Sequence, residues 1–290
     1  MSPHPVRRRA RKPAPMPAPL APVPAQYSAE EMMTVAAARL LQPGQVCFVG
    51  IGTPSAAANL ARLTHAPDIV LVYESGTIGV APSVLPLSIG DGELAETATA
   101  LVSLPEVFSY WLQAGRVDVG FLGAAQIDRY GNLNTTVVGP YDKPLTRLPG
   151  AGGAPEIARH ARQTFVVLKQ NTRSFVEVLD FVTTPGFLGG HGERARRGLA
   201  GAGPQVVVTD LGLLRPDPET QELRLVARYP GVEVDRIRLA TAWPLLVAAD
   251  VEVLAPPGEQ ELRVLRDLQQ RTRAAHAQRP PFPPVTVSAS

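Results

Sequence analysis

One carboxylate, Glu74, lies where a catalytic acid, base or nucleophile would be placed. It follows an apolar run, residues 69–73, that predicts a buried strand, and Ser75 and Gly76 then predict a sharp turn. In an open α/β sheet, ligands bind at the carboxyl ends of the strands, and a glycine lets a substrate approach the backbone. We therefore take Glu74 as the candidate catalytic residue. The alternative is a strand-end glutamate that forms only a surface ion pair.

Other catalytic patterns do not occur around Glu74. No second carboxylate lies at a fixed local spacing, as a glycosidase would require, and the sequence has neither G-x-S-x-G nor H-E-x-x-H. None of the five histidines shares metal-ligand spacing with an acid: His4, His65, His160, His191 and His276. We expect no metal site and no redox cofactor.

A dinucleotide site is a second hypothesis, because Gly50-x-Gly52-x-x-Ser55 follows a predicted strand and begins a predicted helix. Glu74 lies 22 residues after Gly52, near the place of a ribose-binding acid. Two features count against this hypothesis. Ser55 replaces the third glycine of the fingerprint, and Pro54 restricts the preceding residue to an extended conformation. A dinucleotide-binding oxidoreductase remains an alternative.

A glutamate can also act as a nucleophile on a thioester. Its carboxylate would form an acyl-glutamyl anhydride, which divides one difficult transfer into two easier steps. Such a step needs backbone N–H donors for the tetrahedral oxyanion, and a glycine loop presents donors without a Cβ in the way. Gly152 and Gly153 are the candidate donors, and an ordinary glycine loop is the alternative.

The composition limits the classes of partner. The net charge of +2 includes five basic residues near the start of the chain, and without them 23 basic residues face 26 acidic ones: the five are Arg7, Arg8, Arg9, Arg11 and Lys12. The remaining chain has no basic excess, so we predict no nucleic-acid binding. No apolar run approaches the roughly 20 residues that span a membrane. Cys47, the one cysteine, lies in an apolar run and predicts a buried structural thiol. We expect a soluble, cytoplasmic protein.

Strands and helices alternate in the predicted order of a parallel α/β sheet. Predicted helices cover residues 28–41, 55–63, 105–114, 155–162, 234–242 and 259–275. Predicted strands cover residues 46–49, 69–73, 118–122, 164–168, 176–183, 205–209 and 222–228, with the last two antiparallel. Residues 186–203 predict a mobile loop whose arginines are solvated; the alternative is that they meet a phosphate or an acidic partner. We predict a disordered Pro- and Arg-rich extension over residues 1–26, one domain over 27–278 and a frayed tail over 279–290.

Several ordered motifs between Tyr27 and Leu188 resemble the β subunit of class I CoA-transferases. They are Y-S-A-E-E-M-M from Tyr27, F-V-G-I-G-T-P from Phe48, T-H-A-P from Thr64, E-S-G-T-I-G from Glu74, G-A-A-Q-I-D-R-Y-G-N-L-N from Gly123 and G-A-G-G-A from Gly150. Within the family, the chain is most similar to the β-type (B) polypeptide of the glutaconate CoA-transferase branch. Succinyl-CoA:3-ketoacid relatives carry S-E-N-G around the glutamate, whereas this chain has Y-E-S-G at residues 73–76.

The resemblance implies a fold and a set of site residues. The fold is an open, mainly parallel α/β sheet in an α/β/α sandwich, the CoA-transferase (NagB/RpiA-like) fold. Glu74 matches the family's nucleophile, which carries CoA as a glutamyl thioester during a ping-pong transfer between carboxylic acids. The other implied residues line the oxyanion and CoA site, namely Gly150, Gly152, Gly153, Ala154, Gly50 and Gly52, or contact the substrate, namely Ser75, Gly76 and Gln126.

The resemblance also implies a partner. The family has a separate α subunit that completes CoA binding, and no equivalent segment occurs in this chain, so we expect a heterodimer or a larger heteromer. Acyl-CoA and carboxylic acids are the expected substrates, and coenzyme A is a substrate rather than a cofactor. Relatives that hydrolyse acyl-CoA or open CoA-linked rings are the alternative. Ring-opening relatives lack the glutamate of E-S-G, so its presence in this chain favours transfer.

Overall fold

The computed structural model describes residues 26–278 of the chain. The predicted extension up to residue 25 and the predicted tail from residue 279 lie outside the described residues. The described strands are β1 Val46–Phe48, β2 Val70–Tyr73, β3 Thr77–Ile78, β4 Ala100–Leu101, β5 Val119–Leu122, β6 Gln126–Ile127, β7 Leu133–Asn134, β8 Val137–Val138, β9 Thr146–Arg147, β10 Gln163–Val167, β11 Pro204–Val208, β12 Gly212–Pro216, β13 Leu223–Arg228 and β14 Leu246–Val253.

The helices lie between these strands. They are α1 Ala29–Arg39, α2 Thr53–Leu63, α3 Gly92–Glu96, α4 Leu104–Glu106, α5 Ala154–His160, α6 Glu193–Arg196, α7 Val234–Leu239 and α8 Glu259–Ala277, and α4 continues directly into a π-helix, Val107–Leu112. The predicted helices therefore form where the apolar periodicity placed them. The predicted helix over residues 105–114 is confirmed, although most of it is π-helical.

One large sheet organises the described residues. Its ten strands follow the order β14-β13-β12-β11-β10-β5-β1-β2-β3-β4. The five central strands, from β11 to β2, are parallel, and antiparallel strands flank them on both sides. All four residues of β5 are buried, as a parallel strand covered on both faces requires. The prediction of an open, mainly parallel α/β sheet is confirmed.

The sheet has a topological switch point between β1 and β5, because the strands that follow these two are added on opposite sides. From β1 it continues through α2 to β2 on one side, and from β5 it continues through α5 to β10 on the other side. In open α/β sheets, ligands bind outside the carboxyl ends of the strands at this point of reversal. The crevice between the ends of β1 and β5 is therefore the expected place for a ligand.

Helices cover the two faces of the sheet in separate groups. Helices α1, α2 and α8 pack together, and Tyr73 of β2 faces them, because its hydroxyl lies 2.9 Å from the Ser55 hydroxyl of α2. Phe48 of β1 faces the opposite side, where its ring centroid lies 5.9 Å from that of Phe108 in the π-helix. Helix α5 packs beside the π-helix on that side. The predicted three-layer α/β/α arrangement is thus present.

Helix α1 is held to α8 at both of its ends. Ser28 and Glu31 form the predicted capping box, with hydrogen bonds of 2.8 and 3.1 Å, and Arg266 of α8 lies 2.5 Å from the Glu31 carboxylate. At the other end of α1, Arg39 and Glu261 lie 2.6 Å apart. Hydrogen bonding to Arg266 lowers the pKa of Glu31, so the carboxylate stays ionised.

Three predictions about the second half of the chain are wrong. Residues 176–183 form no strand: this segment meets the β6–β7 hairpin through bridges at Phe175 and Thr184 and bows outward between them, where Val178 is 78% exposed. Strand β12 was not predicted, and it separates β11 from β13, so those two strands do not pair with each other. Strand β14 was also not predicted.

The glycine- and arginine-rich segment 186–203 differs from the predicted mobile loop with solvated arginines. It contains α6, and Arg194 is only 3% exposed. The Arg194 guanidinium donates hydrogen bonds to backbone carbonyls of five residues: Ala158, Pro185, Gly186, Ala200 and Gly201. This arginine is therefore a structural clamp on the end of α5.

Candidate active site

Glu74 lies in the three-residue turn that joins β2 to β3. Tyr73 pairs with Thr77, which leaves Glu74, Ser75 and Gly76 as the turn. Gly76 has φ +91°, and a Cβ there would collide with the Val102 carbonyl oxygen. Three-residue hairpin turns of this kind need a left-handed residue at their end, so only glycine fits the position. The predicted sharp turn after Glu74 is therefore confirmed.

The side chain of Glu74 faces the layer formed by α5 and the π-helix. Successive strand residues point to opposite faces, and Tyr73 points to α2, so the direction of the strand carries Glu74 to the other side. A Cβ built on Gly153 would lie 3.2 Å from Glu74 Oε1 and 2.6 Å from the Phe108 ring. The structure thus brings the candidate nucleophile and the glycine loop together, with Phe108 against both.

The carboxylate of Glu74 is half-buried and has no fixed partner. It forms no ion pair and no hydrogen bond with another residue of the described range 26–278. Ser75 beside it is exposed, and its hydroxyl lies 3.4 Å from the Thr77 hydroxyl. An acid without a hydrogen-bond donor or cation at its oxygens keeps both oxygens available for a bound substrate.

The glycine loop before α5 presents two free backbone donors. Gly150, with φ +99°, donates its N–H to the Thr135 carbonyl at 2.8 Å and so anchors the loop. The N–H groups of Gly152 and Gly153 donate to no acceptor within residues 26–278. Ala154 closes the loop by donating to the Ala151 carbonyl at 3.0 Å. Of the predicted oxyanion residues, Gly152 and Gly153 therefore have N–H groups that are available to bind an oxyanion.

The turn after β1 borders the same edge of the sheet. Gly52 has φ +82° and precedes α2, which begins without a side-chain cap. A Cβ on Gly50 or Gly52 would meet no atom within 4 Å, so open space adjoins both residues. Gly50 lines a cavity of about 430 Å³ at the ends of β1, β5 and β10. The roles of both glycines in CoA binding stay predictions.

Gln126, a predicted substrate contact, is 6% exposed and has partners inside the protein. Its amide nitrogen donates to Asp180 at 2.7 Å, and its amide oxygen accepts from the side chain of Asn134 at 2.6 Å. Asn134 directly precedes Thr135, whose carbonyl anchors Gly150. Gln126 is thus connected to the glycine loop, and its contact with substrate stays a prediction.

Cys47 has no part in this site. It is fully buried in β1, and burial raises the pKa of its thiol, so the group stays protonated and inert. The predicted structural thiol is confirmed. Among residues 26–278, no three His, Cys, Asp or Glu side chains are grouped closely enough to hold a metal ion. Within the same range, no helix combines the length and the apolar character needed to span a membrane.

Comparison with known proteins identifies the family. The family model described as Coenzyme A transferase matches residues 30–240, which is most of the chain. The chain belongs to the coenzyme A transferase family. The predicted resemblance to this family is confirmed, and the similarity to the B polypeptides of two such enzymes makes the chain a CoA-transferase β subunit.

These two B polypeptides each match more than three quarters of the chain. The chain is 56% identical over 252 residues to the B polypeptide of 3-oxoadipate CoA-transferase from Pseudomonas knackmussii, covering 87% of this chain and 97% of that protein. It is 38% identical over 236 residues to the B polypeptide of glutaconate CoA-transferase from Acidaminococcus fermentans, covering 79% and 88%. The crystal structure of glutaconate coenzyme A-transferase from A. fermentans superposes with a TM-score of 0.78 at 35% identity, covering 83% of this chain and 94% of that chain. The CoA-transferase fold is therefore confirmed.

Two residues of this CoA-transferase site could not be identified from the sequence. Phe108 lies in the π-helix with its ring near Phe48 and Gly153, and nothing in its sequence neighbours distinguishes it from a core aromatic. Asn134 is fully buried in β7, and its polar sequence neighbours Asn132, Thr135 and Thr136 give no sign of that burial. A buried amide needs partners, which is the one hint that it organises polar structure.

Proposed function

We propose that this chain is the β subunit of a CoA-transferase that moves CoA between carboxylic acids through a glutamyl-CoA thioester on Glu74. The observation that carries the proposal is the approach of Gly153 to Glu74 Oε1, which places a loop with free N–H donors beside an unpaired carboxylate. A covalent route needs both parts in one place: a nucleophile, and donors for the oxyanion that forms when it attacks.

The reaction proceeds in two symmetric halves. The Glu74 carboxylate attacks the thioester carbonyl of the donor acyl-CoA, and the C–S bond breaks to release CoA thiolate and leave an acyl-glutamyl anhydride. The thiolate then attacks the glutamyl carbonyl of the anhydride, which releases the donor as its carboxylate and forms the glutamyl-CoA thioester. An acceptor carboxylate attacks that thioester, and the same steps in reverse order yield the new acyl-CoA and free Glu74.

The N–H groups of Gly152 and Gly153 would stabilise the tetrahedral oxyanion in each step. In other acyl transfers, each donor aimed at the developing negative charge lowers the activation barrier by about 3–4 kcal/mol. Binding of the CoA body would offset the cost of the anhydride, because binding energy from remote groups can stabilise a strained intermediate. Each step balances with the substrates alone, so no metal or redox cofactor is part of this proposal.

Dicarboxylic acids are the substrate class that we propose. The relative at 56% identity is named for 3-oxoadipate and the relative at 38% identity for glutaconate, and both acids carry two carboxyl groups. A β-keto diacid such as 3-oxoadipate is the specific candidate. Both relatives are named as one of two different polypeptides of their enzyme, so we propose that the active enzyme also contains an α subunit.

Borohydride trapping tests the covalent step. The α/β complex is incubated with an acyl-CoA, reduced, digested and analysed by mass spectrometry; a glutamyl thioester is reduced to an alcohol, so the Glu74 peptide should lose mass. The Glu74→Gln complex should show no such product and no transfer, while Glu30→Gln, at an exposed glutamate of α1, should behave as wild type. Transfer that survives in Glu74→Gln would overturn the assignment. Release of free CoA at the same rate with and without an acceptor acid would instead indicate a hydrolase.

A further inference from the structure

The glycine loop begins where the β8–β9 hairpin ends. Beyond the paired strands, Leu148 donates its N–H to the Thr136 carbonyl at 3.1 Å, and Gly150 donates its N–H to the Thr135 carbonyl at 2.8 Å. These two bonds tie the start of the loop to the chain just before β8. The path of the loop therefore depends on how firmly Thr135 and Thr136 are held.

One hydroxyl, that of Thr183, contacts both of these residues. The Thr135 N–H donates to Thr183 Oγ1 at 3.0 Å, and the hydroxyls of Thr136 and Thr183 lie 2.7 Å apart. The backbone of Thr183 is itself fixed, because its N–H donates to the Leu133 carbonyl of β7 at 2.9 Å. Thr183 thus joins the chain before β8 to the β6–β7 hairpin at the place where the glycine loop is anchored.

The peptide bonds on the two sides of Thr135 are held by different side chains. The bond before Thr135 carries the N–H that donates to Thr183. The bond after it carries the carbonyl that accepts the Gly150 N–H, and its own N–H, that of Thr136, donates to Asn134 Oδ1 at 3.0 Å. Because each peptide unit is planar, a side chain that fixes the N–H also fixes the direction of the carbonyl. Thr183 and Asn134 together therefore set the direction of the acceptor that anchors the glycine loop.

The bowed segment, residues 176–183, carries Thr183 and makes a second connection to the same residues. Its Asp180 carboxylate accepts a hydrogen bond from the Gln126 amide nitrogen at 2.7 Å. The Gln126 amide oxygen in turn accepts a hydrogen bond from the Asn134 side chain at 2.6 Å. The bowed segment thus reaches Thr135 directly through Thr183 and indirectly through Asn134.

A third contact joins the bowed segment to the turn of the β8–β9 hairpin. The Phe181 and Tyr141 rings are nearly parallel, with 26° between their planes and 5.6 Å between their centroids. The Arg147 guanidinium lies 4.5 Å from the centre of the Tyr141 ring. The bowed segment therefore supports the hairpin both at its turn and at its base, where the glycine loop begins.

We propose that Thr183 is a positioning residue for CoA transfer: its hydroxyl holds Thr135 and Thr136, and through them keeps the N–H groups of Gly152 and Gly153 aimed at the oxyanion. The inference rests on the proposed function of the glycine loop, and it assigns the bowed segment to the support of that loop. Thr183 acts through the backbone and not on the substrate. Its loss should therefore slow the chemical step without weakening the binding of acyl-CoA.

The experiment compares Thr183→Val with Thr184→Val in the α/β complex, because each substitution removes one hydroxyl and keeps the shape of the side chain. Thr184 is 1% exposed, and its hydroxyl forms no hydrogen bond with any residue in the range 26–278, so it is the matched control. In Thr183→Val, kcat for CoA transfer should fall by about 10- to 100-fold while KM for acyl-CoA stays within about twofold. Thr184→Val should retain the wild-type kcat. Thr183→Ser, which restores the hydroxyl, should recover kcat to within about threefold of wild type.

Hydrogen–deuterium exchange of the same complexes, without substrate, reports on the loop directly. The Gly150 N–H should exchange about tenfold faster in Thr183→Val than in wild type, since the loss of a supporting hydrogen bond makes local opening easier. The rate should be unchanged in Thr184→Val. This measurement does not depend on the chemistry of Glu74, so it separates the support of the loop from the covalent step.

Where the wild-type complex transfers CoA, the inference requires both the lower kcat and the faster exchange in Thr183→Val, and either change without the other overturns it. A lower Tm with wild-type kcat per folded complex would also overturn it, because Thr183 would then have only a structural role. If borohydride trapping leaves Glu74 unmodified while both changes occur, the support of the loop stands and the covalent step on Glu74 fails. If the wild-type complex transfers no CoA, the proposed function fails and the exchange rate alone decides the inference.

A second variant covers the case in which Thr183→Val gives no folded complex. Asp180→Ala removes the other connection at an exposed side chain, so folding should persist. Its kcat should fall by about three- to tenfold, and the Gly150 N–H should exchange faster than in wild type. Wild-type values of both quantities in Asp180→Ala would overturn the inference.

Discussion

Gly153 lies so close to the Glu74 carboxylate that an added Cβ would crowd Glu74 Oε1 and collide with the Phe108 ring. Gly153 has φ −83°, which any residue can adopt, so the backbone does not require glycine there. The requirement comes from the surroundings, because an added Cβ would lie 3.2 Å from Glu74 Oε1 and 2.6 Å from the Phe108 ring. A substitution at Gly153 therefore tests steric crowding at the site without adding backbone strain.

Gly153→Ala should lower kcat by about 100-fold with a small effect on stability, because displacement of a reacting group by about 1 Å costs about that much. Gly90→Ala is the control, since its added Cβ would lie 3.9 Å from the nearest atom. Adding Phe108→Leu to Gly153→Ala should restore part of the activity if the ring transmits the clash. Steady-state kinetics of the α/β complex measure both effects, and an unchanged kcat in Gly153→Ala would contradict the proximity argument.

Asn134 is the residue that we expect to position the glycine loop. Its side-chain nitrogen donates to the Gln126 amide oxygen and to the Val137 carbonyl, each at 2.6 Å, and its oxygen accepts the Thr136 N–H at 3.0 Å. The neighbouring Thr135 carbonyl holds the N–H of Gly150. Loss of the Asn134 amide should therefore loosen the anchor of the loop while leaving Glu74 in place.

Asn134→Asp keeps the shape of the side chain but replaces its donor nitrogen by an oxygen. That oxygen would then face two other acceptors, the Gln126 amide oxygen and the Val137 carbonyl. We expect kcat to fall by at least about tenfold while KM for acyl-CoA stays within about twofold, because the loop acts on the reacting carbon. Kinetics and thermal unfolding are measured on the same preparations of the complex. A lower Tm with unchanged kcat per folded enzyme would mean that Asn134 has only a structural role.

The framework of the site could be predicted from the sequence because its signals are local. Gly76 follows an apolar strand and an acid, and such a turn needs no distant contact to form. The parallel centre of the sheet follows from strands that alternate with helices. The contact between Glu74 and Gly153 could not be predicted, because it depends on how α5 and the π-helix pack on one face of the sheet.

The incorrect predictions also have physical causes. Strand β12 begins with Gly212 and ends with Pro216, two residues typical of turns, and its strand conformation comes from pairing on both sides. Strand β14 lies at the edge of the sheet, and five of its eight residues are exposed although six of the eight are apolar, so burial does not follow its apolar pattern. A run of arginines is usually solvated, but the fold buries Arg194 against carbonyls that are distant in sequence.

Arg194 should be among the most sensitive positions outside the site. Burial lowers its pKa to about 10, and its guanidinium donates hydrogen bonds to the backbone carbonyls of five residues. Arg194→Met should reduce the free energy of unfolding by about 3 kcal/mol or more, because each buried acceptor left without a donor costs about 1–3 kcal/mol. Arg197 lies three residues further along, and its exposed side chain pairs with Glu193. Arg197→Met should lower the free energy of unfolding by less than about 0.5 kcal/mol. Denaturant unfolding of the complex measures both changes, and equal effects would contradict the clamp.

The ion pair between Glu31 and Arg266 should make the attachment of α1 to α8 dependent on pH. Hydrogen bonding to Arg266 is the largest cause that lowers the pKa of Glu31 below its usual 4.5 in the folded protein. A lowered pKa means that the folded state favours the ionised carboxylate, so the stabilisation is present above pH 4.5 and is lost as pH falls through the folded-state pKa.

Arg266→Met should therefore lower the unfolding midpoint at neutral pH, and its difference from wild type should shrink as pH falls through the lowered folded-state pKa of Glu31, where the carboxylate becomes protonated. Arg273→Met, at an exposed arginine on the same helix, should show no such dependence. The measurement is a series of denaturant unfolding curves of the complex, from neutral pH downward to values well below 4.5. A difference between Arg266→Met and wild type that persists unchanged at low pH would show that Arg266 stabilises the helix pair through packing of its aliphatic stem rather than through the charge of Glu31.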